Sequence, residues 1–210
     1  MSEFFMNETM KMQKLDLNKH DALKVAELIY ETDANLFNFF FKNKESTAYK
    51  IEKLVRSGNN TLGYERIRVV TPSDSDEVQG IMVYSCGQEA EKMDEMKILR
   101  QNLNWWDVIK FSVMEWWDNH FLADLKESDF YLACVAVDEL ARGNGLGSFI
   151  LEESWKIAKK NGFDRVVLDV DMDNKGAYRL YQKMGFKVFN KNSIPWFGGE
   201  KGVLNMEYML

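Results

Sequence analysis

An apolar run, Leu132-Ala133-Cys134-Val135-Ala136-Val137, feeds a glycine-rich turn, Arg142-Gly143-Asn144-Gly145-Leu146-Gly147-Ser148, which opens a helical stretch from Phe149 to Lys160. A strand, a glycine turn and a helix start in that order restrict both fold and ligand. The first N–H groups of a helix have no partner inside it, and the helix dipole puts partial positive charge there. Glycines let the main chain approach a ligand closely and adopt positive φ. The expected guest is a phosphate or pyrophosphate. The turn is not a P-loop, because no Lys followed by Ser or Thr comes after its glycines. As a dinucleotide fingerprint it is incomplete: counting from Gly143 puts Ser148 at the third glycine, and counting from Gly145 puts Ile150 there. Asp164 and Asp169 lie near the distance of a ribose-binding acid, so a nucleotide-binding domain stays as a minor alternative.

Downstream, Val166 to Val170 has strand character. It is followed by Asn174-Lys175-Gly176-Ala177-Tyr178-Arg179-Leu180-Tyr181 and then Lys183-Met184-Gly185-Phe186. Arg142-x-x-Gly145-x-Gly147 together with these segments resembles the GNAT superfamily of acyl-CoA-dependent acetyltransferases, whose patterns are [RQ]-x-x-G-x-[GA], N-x-x-A-x-x-L-Y and K-x-G-F. The resemblance is specific over Phe130 to Phe189 and only architectural before that. It implies a single-domain α+β fold with a central mixed, twisted sheet flanked by helices, and acetyl-CoA as cosubstrate.

Bulk composition agrees with one folded domain. In 210 residues, 46% are hydrophobic and 13% aromatic, enough for a core. The apolar runs fall far short of the ~20 residues of a membrane span. Met1 to Lys14 has no basic region ahead of an apolar core, so no secretory signal is expected. Cys86 and Cys134 are the only cysteines; both fall in expected strands as reduced thiols, and the address is cytoplasmic. A net charge of −6 without a basic stripe argues against nucleic acid. His20 and His120 form no ligand set with the cysteines, so no metal is expected.

The chain divides into a flexible leader, residues 1–11, and one domain from 12 to 210. Met12 to Leu17 reads as a strand, and His20 to Thr32 and Glu45 to Ser57 as helices, the second stopped by Gly58. Tyr64 to Thr71 and Val78 to Cys86 form a hairpin around Pro72-Ser73-Asp74-Ser75-Asp76. Gln88 to Ser128, rich in charged and aromatic residues, is an insertion of two helices, Glu89 to Gln101 and Trp105 to Leu122, between strands 3 and 4. Trp105, Ile109, Val113, Trp116 and Trp117 make one apolar face. That face packs over the sheet, walls an acceptor site or forms a dimer surface; the chain is monomer or homodimer. Leu146 to Asn161 and Lys175 to Met184 are the remaining helices. Gly185 to Asn190 and Gly202 to Met209 are the last strands, joined by a glycine-rich loop from Pro195 to Gly202.

The family resemblance also implies roles. Val135, Ala136 and Val137 offer backbone to the pantetheine arm, where this strand diverges from the next. Arg142, Gly143, Asn144, Gly145, Leu146, Gly147 and Ser148 hold the pyrophosphate, the Arg142 side chain adding charge. Asn174 contacts the arm and can also cap its helix, with Ala177 beside it. Tyr181 is the general acid for the leaving thiolate, and Val135 N–H the oxyanion donor. Tyr178 is read as packing, His120 as structural, and Cys134 as no nucleophile. Asp169 stands where some members carry a glutamate. Alternation sets Asp169, Asp171 and Asp173 on one face, either lining the acceptor site, with Asp169 as base through water, or forming a solvated strand end. Glu200 is a lesser candidate base. The expected activity is acetyl transfer to a primary amine by direct attack, the amine being a cationic small molecule or a peptide. The alternative is a non-catalytic acyl-CoA sensor or interaction module on the same fold.

Overall fold

Residues 9–86, 92–121, 125–196 and 199–210 are described by a computed structural model. A seven-stranded sheet runs in the order β1 (Met10–Lys14), β2 (Ile67–Pro72), β3 (Gly80–Cys86), β4 (Asp129–Val137), β5 (Arg165–Asp171), β7 (Gly199–Met209), β6 (Lys187–Trp196). Neighbours are antiparallel except β4 and β5, which are parallel. That parallel pair requires a crossover, supplied by the helix that follows the glycine turn.

Period-two alternation decides what each face buries. Ile67 and Val69 of β2, with Ile81 and Val83 of β3, meet α1 (Ala22–Thr32) and α3 (Lys44–Ser57) through Val25, Leu28, Ile29, Ile51 and Val55. Val70 and Met82, one position along, turn to the other face with Phe130, Val166, Leu168 and Met206. There they meet Phe149, Ile150 and Leu151 of α6 (Leu146–Lys160). Local signals set the helix ends. The Asp21 carboxylate accepts from Leu23 and Lys24 N–H, Asn43 accepts from Ser46 N–H, and Gly58 ends α3 at φ 62°. Between α1 and α3 lies a short helix, α2 (Ala34–Phe41), which sequence periodicity does not single out.

Several boundaries differ from the sequence reading. β1 begins at Met10, inside the segment assigned to the leader, because Met10 and Lys11 pair with Pro72 and Thr71. Residues 1–8 lie outside the described residues. The last two strands run far into the expected glycine-rich loop: Ser193 pairs with Gly202 and Trp196 with Gly199, leaving only residues 197–198, themselves outside the description, as a turn.

The insertion forms α4 (Lys92–Asn102) and α5 (Trp105–Phe121), with residues 87–91 and 122–124 outside the described residues. Trp105 and Val113 of its expected apolar face do not pack over the sheet. Trp105 and Trp106 are each 65% exposed and Val113 41%, whereas Val108 and Met114 are buried and Phe111 packs beside them. The inward stripe is thus rotated by about one turn position from Trp105, Ile109 and Val113. The side chains of Trp116, Trp117 and His120 lie outside the description. No helix among the described residues is long and apolar enough to cross a membrane.

One ion-pair group fixes the start of the parallel pair. The Arg165 guanidinium donates to both Asp129 oxygens at 2.7 Å and also reaches Glu207. Asp129 is 2% exposed. Burial works to raise its carboxyl, but the Arg165 hydrogen bonds and the Lys126 N–H outweigh it and hold it below the usual carboxylate range. Arg165→Met leaves that carboxylate buried without its cation and is expected to cost about 3 kcal/mol, read as a lower urea midpoint. Because the folded carboxyl binds its proton more weakly than the unfolded one, wild-type stability is present at neutral pH. It falls on acidification from about pH 5 downward, and the mutant loses part of that dependence.

Candidate active site

The parallel pairing of β4 and β5 runs from Asp129↔Arg165 to Leu132↔Leu168 and stops. β4 continues to Val137 beside β3 alone, and β5 to Asp171 beside β7 alone. The two strands therefore open as a V, and from Ala133 to Val137 β4 makes no ladder pairing with β5 among the described residues. At the fork β4 holds one extra residue: Val83 pairs with Cys134 but Tyr84 with Leu132, leaving Ala133 bulged. A bulge at this point re-aims the strand and ends its pairing.

The arm of β4 leads through a short 3₁₀ turn, Glu139–Ala141, into the glycine turn. Gly143 and Gly145 sit at φ 80° and 84°, a region that strains other L-residues. Gly145 precedes α6, and no side chain caps that helix. The N–H groups of Leu146, Gly147 and Ser148 thus have no intrahelical partner and are left for an anion. Gly147 has an additional reason to be glycine: a Cβ would lie 2.8 Å from Leu180 Cδ2 on α7 (Lys175–Lys183).

A cleft of about 1130 Å³ occupies the V and continues under α2 and the insertion. All the residues expected to meet the coenzyme line it except Asn144, whose side-chain amide reaches back to the Ala141 carbonyl at 3.4 Å. Asn174 caps α7, its side-chain oxygen accepting from Ala177 N–H at 3.1 Å, and still lines the cleft. Tyr181 is 8% exposed and packs against Phe186. Burial, with the Cys134 thiol beside it, pushes its hydroxyl up to about 12. Tyr178 faces Gln182, accepting from its amide at 2.8 Å, and does not line the cleft.

Three acids behave differently from the sequence reading. Asp169 lines the cleft, but both oxygens are engaged: the Tyr131 hydroxyl donates to Oδ2 at 2.8 Å, and the Asn205 amide donates to Oδ1. Asp171 lines the cleft too, while Asp173 lies beyond the end of β5 and off the lining. Glu200 is on the β6–β7 hairpin, exposed and paired with Lys191, and is not in the cleft. Arg142 also departs from expectation. Its Nε donates to the Val137 carbonyl at 3.0 Å, and its terminal nitrogen meets Glu31 at 3.0 Å, so its charge is partly met within the protein.

The cleft contains a residue that the motifs do not mark. Asp33 ends α1 and begins α2, its Oδ1 accepting from Leu36 N–H at 3.2 Å. Burial and the charge of Asp171 push its carboxyl up to about 6. The only sequence signal was an Asp preceding Ala34-Asn35-Leu36, which reads as a helix cap. The insertion contributes Leu99, Phe111 and Met114 to the same cavity, so it serves as a wall as well as packing.

Comparison with known proteins agrees with this geometry. A V-shaped fork, a backbone anion turn and a long cleft between two strands define the acyl-CoA-dependent N-acyltransferase class of fold. Residues 108–186 match the model of the acetyltransferase (GNAT) family. Mycothiol acetyltransferase of Corynebacterium jeikeium is 35% identical over 69 residues, covering 33% of this chain and 19% of that protein. Human N-alpha-acetyltransferase 30 is 36% identical over 56 residues, covering 27% of this chain and 16% of that protein. The match therefore spans less than a fifth of either relative. A crystal structure of an acetyltransferase superposes with a TM-score of 0.64 at 24% identity, covering 93% of this chain and 97% of that one. An N-acetyltransferase from Staphylococcus aureus Mu50 gives 0.63 at 18% identity, covering 93% and 99%. At these identities the structures establish the fold.

Proposed function

We propose that this chain moves an acetyl group from acetyl-CoA to a primary amine by direct attack, with Tyr181 protonating the departing thiolate. The observation that carries this reading is the fork itself: β4 main chain beyond its pairing with β5, the α6 N–H groups without an intrahelical partner and the Tyr181 hydroxyl all border one cavity. A pantetheine arm is amide-bearing and extended, so it can add to the open β4 edge as a strand would. Its pyrophosphate then falls at the start of α6, and Val135, which lines the cleft, supplies the N–H for the oxyanion in this reading.

The raised Tyr181 hydroxyl bears on its role. A phenol near 12 stays protonated at any working pH, but it is a weaker acid than a thiol, whose ordinary value is ~8.5. Donation to sulfur is uphill unless the phenol recovers a proton in the same event. The nitrogen of the tetrahedral adduct carries a surplus proton, so Tyr181 acts as a relay from nitrogen to sulfur. Asp169, with both oxygens already accepting hydrogen bonds, is better suited to holding Tyr131 and Asn205 at the fork than to removing a proton. Cys86 and Cys134 form no disulfide, which fits a reducing cytosolic setting.

The test is acetyl-CoA binding by calorimetry, followed by release of free thiol across amines, polyamines, aminoglycosides and peptides. Binding with turnover on at least one amine is expected. Binding without turnover on any of them would leave the acyl-CoA sensor as the function.

A further inference from the structure

We infer that Asp33 is the residue that receives the acceptor's ammonium group and takes its proton, and that the acceptor is a primary ammonium carried on an apolar body. This rests on the acyl-transfer reading above and adds to it the substrate class and the proton acceptor.

Asp33 is held close to the reacting fork. Thr32, the residue before it, reaches Cys134 Sγ through its hydroxyl at 3.5 Å. Cys134 is adjacent to Val135 and lies beside Tyr181. Asp33 lines the same cleft as Cys134, Val135 and Tyr181. Asp171 stands on the opposite arm of the V, and its charge acts on Asp33.

The Asp33 carboxylate also has an oxygen to offer. One oxygen caps α2, and among the described residues no hydrogen bond or ion pair engages the other. The charged groups around it have other commitments. Glu31 on α1 is paired with Arg142 and Lys44. Glu95 on α4 accepts from Thr61. On β7, Lys201 acts on Asp171, as does Asp173 after β5. Arg66, ahead of β2, also lines the cleft, but no cation pairs with Asp33 among the described residues. A carboxylate kept partly desolvated without a cation is poised to accept one from outside. The neighbouring walls, Leu36, Phe37, Leu99, Phe111 and Met114, are apolar and fit the rest of such a molecule.

The raised Asp33 carboxyl supports this role. Near 6 it is still mostly ionised at pH 7, yet more basic than an ordinary aspartate. The Asp33 carboxylate takes one proton from R–NH₃⁺, giving the free amine and a neutral carboxyl. The amine lone pair forms the C–N bond to the thioester carbonyl as the C–S bond breaks. Sulfur receives the Tyr181 proton, Tyr181 recovers the second nitrogen proton, and Asp33 returns its own to water.

The experiment uses the full chain saturated with coenzyme A, titrated with 2-phenylethylammonium and with 3-phenylpropionate, which has a similar apolar body and the opposite charge. Asp33→Asn keeps the α2 cap, because Asn caps as well as Asp, and removes only the charge. Wild type is expected to bind the ammonium and not the carboxylate. Asp33→Asn should weaken the ammonium at least tenfold and leave coenzyme affinity unchanged. With acetyl-CoA, wild-type kcat/KM for 2-phenylethylamine should rise with pH through about 6, as Asp33 ionises. Asp33→Asn should lower that rate about 100-fold or more and lose this limb. Equal affinity for the two probes, or an Asp33→Asn variant matching wild type, overturns the inference while leaving acyl transfer standing. Ammonium binding without acetylation removes the proton-accepting role. Wild type that fails to bind the coenzyme rejects the underlying reading instead.

Discussion

Tyr181→Phe is expected to lower the acetyl-transfer rate by about 10²-fold or more while leaving acetyl-CoA affinity within about twofold. The substitution removes one oxygen. The ring keeps its place among Leu146, Phe149 and Phe186, so the fold has no reason to change. The hydroxyl makes no hydrogen bond among the described residues, and deleting it strands no buried partner. What is lost is the phenol beside Cys134 that can pass a proton to sulfur. The loss should fall on kcat rather than KM, because thiolate protonation occurs after binding. Steady-state thiol release with any amine found in the screen measures it. Undiminished turnover would remove Tyr181 from the reaction and leave it as a packed aromatic.

Gly147→Glu is expected to weaken coenzyme binding at least 100-fold, about 2.7 kcal/mol. A new Cβ meets the tip of Leu180, which is flexible and can shift, so Gly147→Ala should cost only a few-fold. The glutamate does more: it brings a negative charge to the start of α6, where the pyrophosphate is expected. Two like charges ~4 Å apart near a protein surface repel by about 4 kcal/mol, enough for the predicted loss. The same charge in the first turn favours the helix itself. Thermal stability should therefore hold or rise as binding disappears, which separates this outcome from misfolding. A Gly147→Glu variant that still binds acetyl-CoA with wild-type affinity would refute the anion turn.

Legibility along this chain followed the range of the interactions involved. The turn and α6 could be read from residues within one strand, one loop and one helix, because Gly145 must supply positive φ and the helix start leaves its own N–H groups free. Asn174 and Tyr181 were legible for a similar reason, being seven residues apart on one short helix. The insertion shows where this fails. Periodicity marks Trp105, Ile109 and Val113 as a stripe, but Val108, Phe111 and Met114 make another, and only contact with α3 and the sheet side selects between them. α2 escaped because Ala34-Asn35-Leu36-Phe37-Asn38-Phe39-Phe40-Phe41 is apolar around most of its circumference and gives no clean helical period.

The chemistry of the acids was decided at longer range still. Asp169 was a candidate base because it stands where some members of the resembled family carry a glutamate, yet its partners Tyr131 and Asn205 are 38 and 36 residues away and meet it only through the β4–β5–β7 register. Asp33 caps α2, but the charge of Asp171 reaches it only through the tertiary fold. The proposed donor half of the site was therefore written into consecutive residues, since a backbone anion cradle is local geometry dictated by glycine and helix polarity. The acceptor half came from tertiary contacts, because a carboxyl group's solvent, partners and charge neighbours belong to whatever the fold brings against it.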